Sequence, residues 1–131
     1  MTDETTHITA ASFTGQWIGV TQGYDALPAH LWEIHQQGAY LIIRTRWEGH
    51  SEMGRYHATL LPGEPAFQME GIKATLIDKQ HFVMPGWAWH INGKSEGTYD
   101  VIFSRPGIAE LTAQAVYQAY RKSLDENHQT P

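Results

Sequence analysis

Eight histidines are the side chains in this sequence best suited to bind a metal or carry a proton. No two of them share the spacing of a metal site. His35, His57 and His90 fall on the outward alternation of three different extended segments, His30 and His81 stand at segment starts, and His7 and His128 lie near the ends. No metal site and no cofactor are therefore expected. One axial histidine is enough to hold haem, so haem binding stays open as an alternative, which an absorption spectrum of the purified protein separates from the rest. Tyr56 and Tyr99 are the candidate proton donors. There is no nucleophile elbow, no phosphate-binding loop and no pair of inward carboxylates. What remains is recognition by aromatic groups. Trp32, Trp87 and Trp89, with Tyr56, Tyr99 and Thr45, combine apolar surface with a few N–H and O–H groups. That set suits a mainly apolar, ring-containing ligand with one or two hydrogen-bonding atoms.

These residues lie on short stretches rich in β-branched and aromatic side chains. Eight such stretches occur, at residues 16–22, 30–36, 39–47, 52–61, 66–70, 73–77, 81–89 and 98–105. The turns QQG, EGHS, LPGEP, GI, DKQ and NGKSEG separate them. Regular strands with short turns predict an antiparallel meander closed as a sandwich or barrel. PGIAELTAQAVYQAYRKSLD is different, rich in alanine and helix formers, and predicts one helix over 106–124. Pro106 suits its start, and Arg121 and Lys122 suit its end. Its expected buried stripe is Ile108, Leu111, Ala115 and Ala119, laid on Ile18, Val20 and Ile102 of the first and last strands. Residues 1–12 and 126–131 read as tails around a single domain, 13–125.

Alternation selects the inner face. One face is nearly uncharged: Trp17 and Thr21, Trp32 and Ile34, Leu41 to Trp47 in steps of two, Tyr56, Ala58 and Leu60, then Phe67, Met69, Ala74, Leu76, Phe82, Met84, Tyr99, Val101 and Phe103. The other carries Glu33, His35, Arg44, Arg46, Arg55, His57 and Asp100. Trp87 and Trp89 change parity after Pro85–Gly86, so a bulge there is needed to bring them inside. Glu33, Glu48 and Glu52 are placed to neutralise the outward arginines. A slip of one residue would turn Arg44, Arg46, Arg55 and His57 inward, toward an acidic ligand.

FTGQWIG at residues 13–19 and FSRPGIAELTAQAVYQAYRKSL near the end, taken together, resemble the lipocalin and wider calycin pattern. In that family a Gly-x-Trp opens the first strand, and an arginine ending the eighth lies across the tryptophan and closes one end of the barrel. Here Gly15, Trp17 and Arg105 match. The family's Thr-Asp-Tyr motif before strand seven is absent. The resemblance implies an eight-stranded up-and-down barrel with an outside C-terminal helix, and a lid formed by residues 22–29 over the open end. Such a barrel either fills with side chains or holds one small ligand. Ala58, Ala74, Thr45 and Gly54 leave room opposite the tryptophans and favour the ligand. Binding a small hydrophobic molecule is thus the expected function. A barrel isomerase or cyclase, folding its substrate by positioning, is the alternative.

Composition narrows the partners. The chain of 131 residues has a net charge of −5, and its nine Lys and Arg form no run. Nucleic acid and anionic membrane are therefore not expected partners. There is no Cys, no apolar leader and no run approaching ~20 apolar residues, which points to a cytoplasmic protein. Tyr40 and Ile42, outward and apolar, suggest a homodimer contact.

Overall fold

A computed structural model describes residues 13–23, 28–51, 53–91 and 94–129; of residues 87–91, 94–98, 110 and 126–129 it describes the backbone alone. Eight strands run β1 (Gly15–Thr21), β2 (His30–Gln37), β3 (Tyr40–Trp47), β4 (Gly54–Leu60), β5 (Ala66–Met69), β6 (Ile72–Asp78), β7 (His81–Ile91) and β8 (Lys94–Ser104). Each pairs antiparallel with the next, and β8 returns to β1, so the sheet is a closed barrel. Closure leaves no free sheet edge. Helix α1 (Glu110–Gln129) follows outside. Among the described residues, no helix is long and apolar enough to cross a membrane.

The inner face is the one that alternation selects. Trp17, Ile34, Leu41, Ile43, Ala58, Phe67, Met69, Ala74, Phe82, Met84, Val101 and Phe103 form one buried cluster. Arg44, Arg46, Arg55, His35 and His57 lie on the exposed outer face. The register breaks between Met84 and Trp87, and Gly86 takes φ 67° there, so the bulge at Pro85–Gly86 is present. The turn NGKSEG is shorter than expected: β7 and β8 stay paired as far as Ile91 and Lys94.

The helix differs from its expected position in two ways. It starts at Glu110 rather than Pro106, because Gly107 sits in the left-handed region at φ 93° and breaks the helical path. It also runs past residue 124, since no glycine or proline interrupts ENHQ. Its buried stripe is Ala113 with Tyr117 and Tyr120, packed on Val83, Ile102, Val20 and Ile77. Ala115 and Ala119 face out, and Leu111 is 79% exposed. The physical reason is Asp100: it accepts a hydrogen bond from Tyr117 Oη at 2.8 Å and lies 3.7 Å from Arg121. Tyrosine buries ring area while keeping a polar tip engaged, so it outcompetes the smaller alanine stripe. Helix α1 accordingly sits on β7 and β8, and Ile18 of β1 is not part of its packing cluster.

Ile42 is also a correction. It lies on the outer face between His35 and His57 in register, yet is only 8% exposed, while its neighbour Tyr40 is 58% exposed. The exposed apolar pair expected as a dimer contact is therefore a single tyrosine.

Candidate functional site

The barrel has two unlike halves. At the end where β1 begins, the interior is filled. Phe13 meets Phe67 edge-on at 4.9 Å, Trp17 meets Phe82 at 4.7 Å, and Phe82 stacks on Phe103 at 4.6 Å. Trp17 Nε1 donates to the Phe13 carbonyl at 2.8 Å, which satisfies the one polar atom of that indole. Outside the plug, the Arg105 guanidinium carbon lies 3.8 Å from the Trp17 ring centroid. Arg105 Nη1 also donates to the carbonyls of Thr14 at 3.0 Å and Gln16 at 3.3 Å. Gly15 permits this closure. Its φ is 117°, and a Cβ there would stand 2.8 Å from Arg105 Nη1.

The other half carries the polar groups. His30 opens β2 with the same parity as Trp32 and Ile34, so its imidazole enters the barrel, where it is 6% exposed. Its Nε2 pairs with Thr21 Oγ1 at 3.2 Å across β1 and β2. Its ring lies 4.5 Å from Trp47, tilted by 35°, and 5.8 Å from Phe103. Burial away from water pushes its pKa down to about 4, so it is neutral at physiological pH. Thr45, Trp47, Tyr56 and Tyr99 point inward but remain only half-buried, whereas the aromatic rings of the sealed half, Phe13, Trp17, Phe67 and Phe82, are fully buried. Glycines give these side chains their places: a Cβ at Gly54 would meet Thr45 Oγ1 at 2.6 Å, and one at Gly19 would meet the Phe103 ring at 2.5 Å.

Of the residues expected to line the site, Trp32, Thr45, Tyr56 and Tyr99 point into the barrel. Trp32 packs on Phe103 at 4.3 Å and sits at the boundary between the halves. The side chains of Trp87 and Trp89 lie outside the described residues, although Trp87 is paired in register with Tyr99. Residues 24–27 of the expected lid lie outside as well. Sequence reasoning missed His30 as an interior group. The signal was present, because His30, Trp32 and Ile34 alternate on one face. Its position at a strand start made it read as a surface residue.

The inward positions named above carry no Lys, Arg, Asp or Glu. The arginines that a register slip would have brought inside are outside. Of the carboxylates expected to neutralise them, Glu33 accepts from His35 at 2.9 Å and Glu52 lies outside the described residues; no ion pair involves Arg44, Arg46 or Arg55 among the described residues. The His35 hydrogen bond, with the nearby Arg44 charge, holds the Glu33 pKa below its usual range. Among the described residues, no three His, Asp or Glu side chains are gathered as a metal site would need.

No protein-family model matches the chain, and no curated protein does. Among solved structures, it is similar to the siderocalin Ex-FABP, with a TM-score of 0.54 and 11% sequence identity over 88% of this chain and 84% of that one. The likeness joins the closed eight-strand meander, the Arg105–Trp17 closure and the outside helix in one conclusion: this chain has a lipocalin-like barrel fold.

Proposed function

We propose that the protein holds a small, mainly hydrophobic, ring-containing molecule in the half of the barrel that His30 and Thr21 share with Trp32, Thr45, Trp47, Tyr56 and Tyr99. Trp87 and Trp89 are proposed to complete the lining. One observation carries this reading: inward aromatic side chains remain half-buried at one end of a barrel whose other end is packed shut. A filled barrel would bury both ends alike. The uncharged lining favours an uncharged ligand, and the His30–Thr21 pair offers it a neutral hydrogen-bonding partner. The siderocalin neighbour is described as acting through dual ligand specificities. That supports ligand binding as a class.

An isomerase or cyclase at this site would work by positioning with Tyr56 and Tyr99, not with His30 as its base. A base with a pKa of about 4 removes protons poorly at neutral pH, because general bases work best with a pKa near the working pH.

Binding of an apolar fluorophore such as 1-aminoanthracene tests the proposal. Expected is saturable micromolar binding with energy transfer from tryptophan. Thr45→Phe, which puts a ring in the half-buried space, should abolish it while cooperative unfolding persists. Equal binding by Thr45→Phe, or no binding by the unaltered protein, would reject the reading.

A further inference from the structure

We infer a second binding site, on the outer wall of the barrel, for a small organic anion with an apolar body. The outer faces of β1, β2 and β3 enclose a groove of about 260 Å³. Two cross-strand rows build it. In one, Ile18 pairs with Leu31 and Leu31 with Arg46; in the next, Gln16 pairs with Glu33 and Glu33 with Arg44. Met53 and Pro106 add apolar surface at its margins. The floor is thus aliphatic, and one wall carries Arg44 and Arg46, with Glu33 and Gln16 beside Arg44.

Several observations separate this groove from an ordinary solvated face. The second row continues from Arg44 to Arg55, placing two cations directly opposite one another, an arrangement that costs stability. No ion pair involves them or Arg46 among the described residues; the Glu33 carboxylate in the groove accepts from His35 and also feels the Arg44 charge. Two of the nine Lys and Arg, Arg44 and Arg46, line the groove and Arg55 stands beside Arg44, in a chain whose net charge is −5. Helix α1, which covers the outer apolar residues Val83 and Ile102, packs on β7 and β8, and none of its residues lines the groove.

Charge complementarity and size define the occupant. Guanidinium groups recognise planar or tetrahedral oxyanions through paired N–H donors. Ile18, Leu31 and Met53 would lie against an apolar body. The volume falls just below the ~300–1,000 Å³ of drug-sized sites, so the fit is to one or two rings or a short chain. The class is an aryl or short-chain carboxylate, sulfonate or phosphate. The groove's charged groups stand on the outer face, whereas the barrel interior has an uncharged lining; Trp17 and Trp32, part of the interior cluster, border both.

Methionine methyl groups report on the two sites independently. Met53 lies at the groove, whereas Met69 and Met84 are buried inside the barrel. The full chain, labelled with ¹³C-methyl methionine, is titrated with naphthalene-2-sulfonate and with the uncharged 2-methylnaphthalene. Expected is a saturable shift of the Met53 methyl by the sulfonate alone. The double variant Arg44→Gln/Arg46→Gln should weaken it about tenfold or more, and added salt should weaken it too. The neutral probe should move only Met69 and Met84, and its failure to do so would count against the barrel site without touching this one. The inference is overturned if the sulfonate shifts Met69 and Met84 but not Met53, or if the double variant binds equally well. It is also overturned if Met53 responds only after residues 1–12 are removed, which would make the chain's own acidic segment the occupant.

Discussion

Arg105 lies flat over Trp17, 3.8 Å from the ring centroid, and ties the carbonyls of Thr14 and Gln16 to the end of β8. First and last strands are thereby locked at the sealed end, far along the barrel from His30. Arg105→Ala should lower the melting temperature, costing roughly 1–3 kcal/mol for the cation–π contact and the hydrogen bonds together. Affinity for an apolar probe should stay nearly unchanged. A large loss of affinity with unchanged stability, by calorimetry and fluorescence titration, would place the ligand at the wrong end.

Gly15→Ala should destabilise the same closure from its other side. The added Cβ would meet Arg105 Nη1 at 2.8 Å, and φ 117° is strained for alanine. A loss of at least about 1 kcal/mol is expected in denaturant unfolding. In Arg105→Ala the clash is gone but the strain remains, so the Gly15 effect should shrink without vanishing.

His30 makes stability depend on pH. Its pKa is about 4 in the folded chain and 6.5 when unfolded, so below 6.5 the unfolded chain takes up the proton first. Its full contribution to stability is present above pH 6.5 and is lost as pH falls toward 4, by roughly 3 kcal/mol. His30→Gln should flatten that part of the curve. Unfolding midpoints at a series of pH values check this, and an unaltered acid slope in the variant would show that other groups cause it.

Asp100 joins the β7 bulge to helix α1. It accepts from the Gly86 amide at 3.0 Å and from Tyr117 Oη at 2.8 Å. Burial and this hydrogen bond raise the Tyr117 pKa to about 12. Tyr117→Phe should cost about 1 kcal/mol, and Asp100→Ala more, since it releases both donors. Leu111→Ser should be neutral within ~0.5 kcal/mol, as exposed positions usually are. A damaging Leu111→Ser would restore the helix stripe read from periodicity.

Gly19→Ala should disturb the interior without touching the closure. Its Cβ would meet Phe103 at 2.5 Å, and that ring is held between Phe82 and Trp32. Overpacking of this kind costs about 1–3 kcal/mol. Thermal unfolding measures it, and no loss would mean that Phe103 has space to move.

The sequence by itself determined the strands, their order and their inner face, because a period of two is written directly into residues such as Trp32–Ile34 and Leu41–Ile43–Thr45. The Pro85–Gly86 bulge was legible for the same reason: parity reverses across it. Gly15, Trp17 and Arg105 were legible as a closure by resemblance, but only the fold shows that Gly15 is required by the approach of Arg105. Helix orientation was decided in three dimensions, since the stripe depends on where Asp100 stands to receive Tyr117. The burial of Ile42 was likewise invisible, because outward parity does not say what lies alongside. His30 shows the division most clearly. Alternation points it inward, but its neutrality comes from desolvation among Trp47, Trp32 and Phe103, residues of three strands that meet only once the barrel has closed.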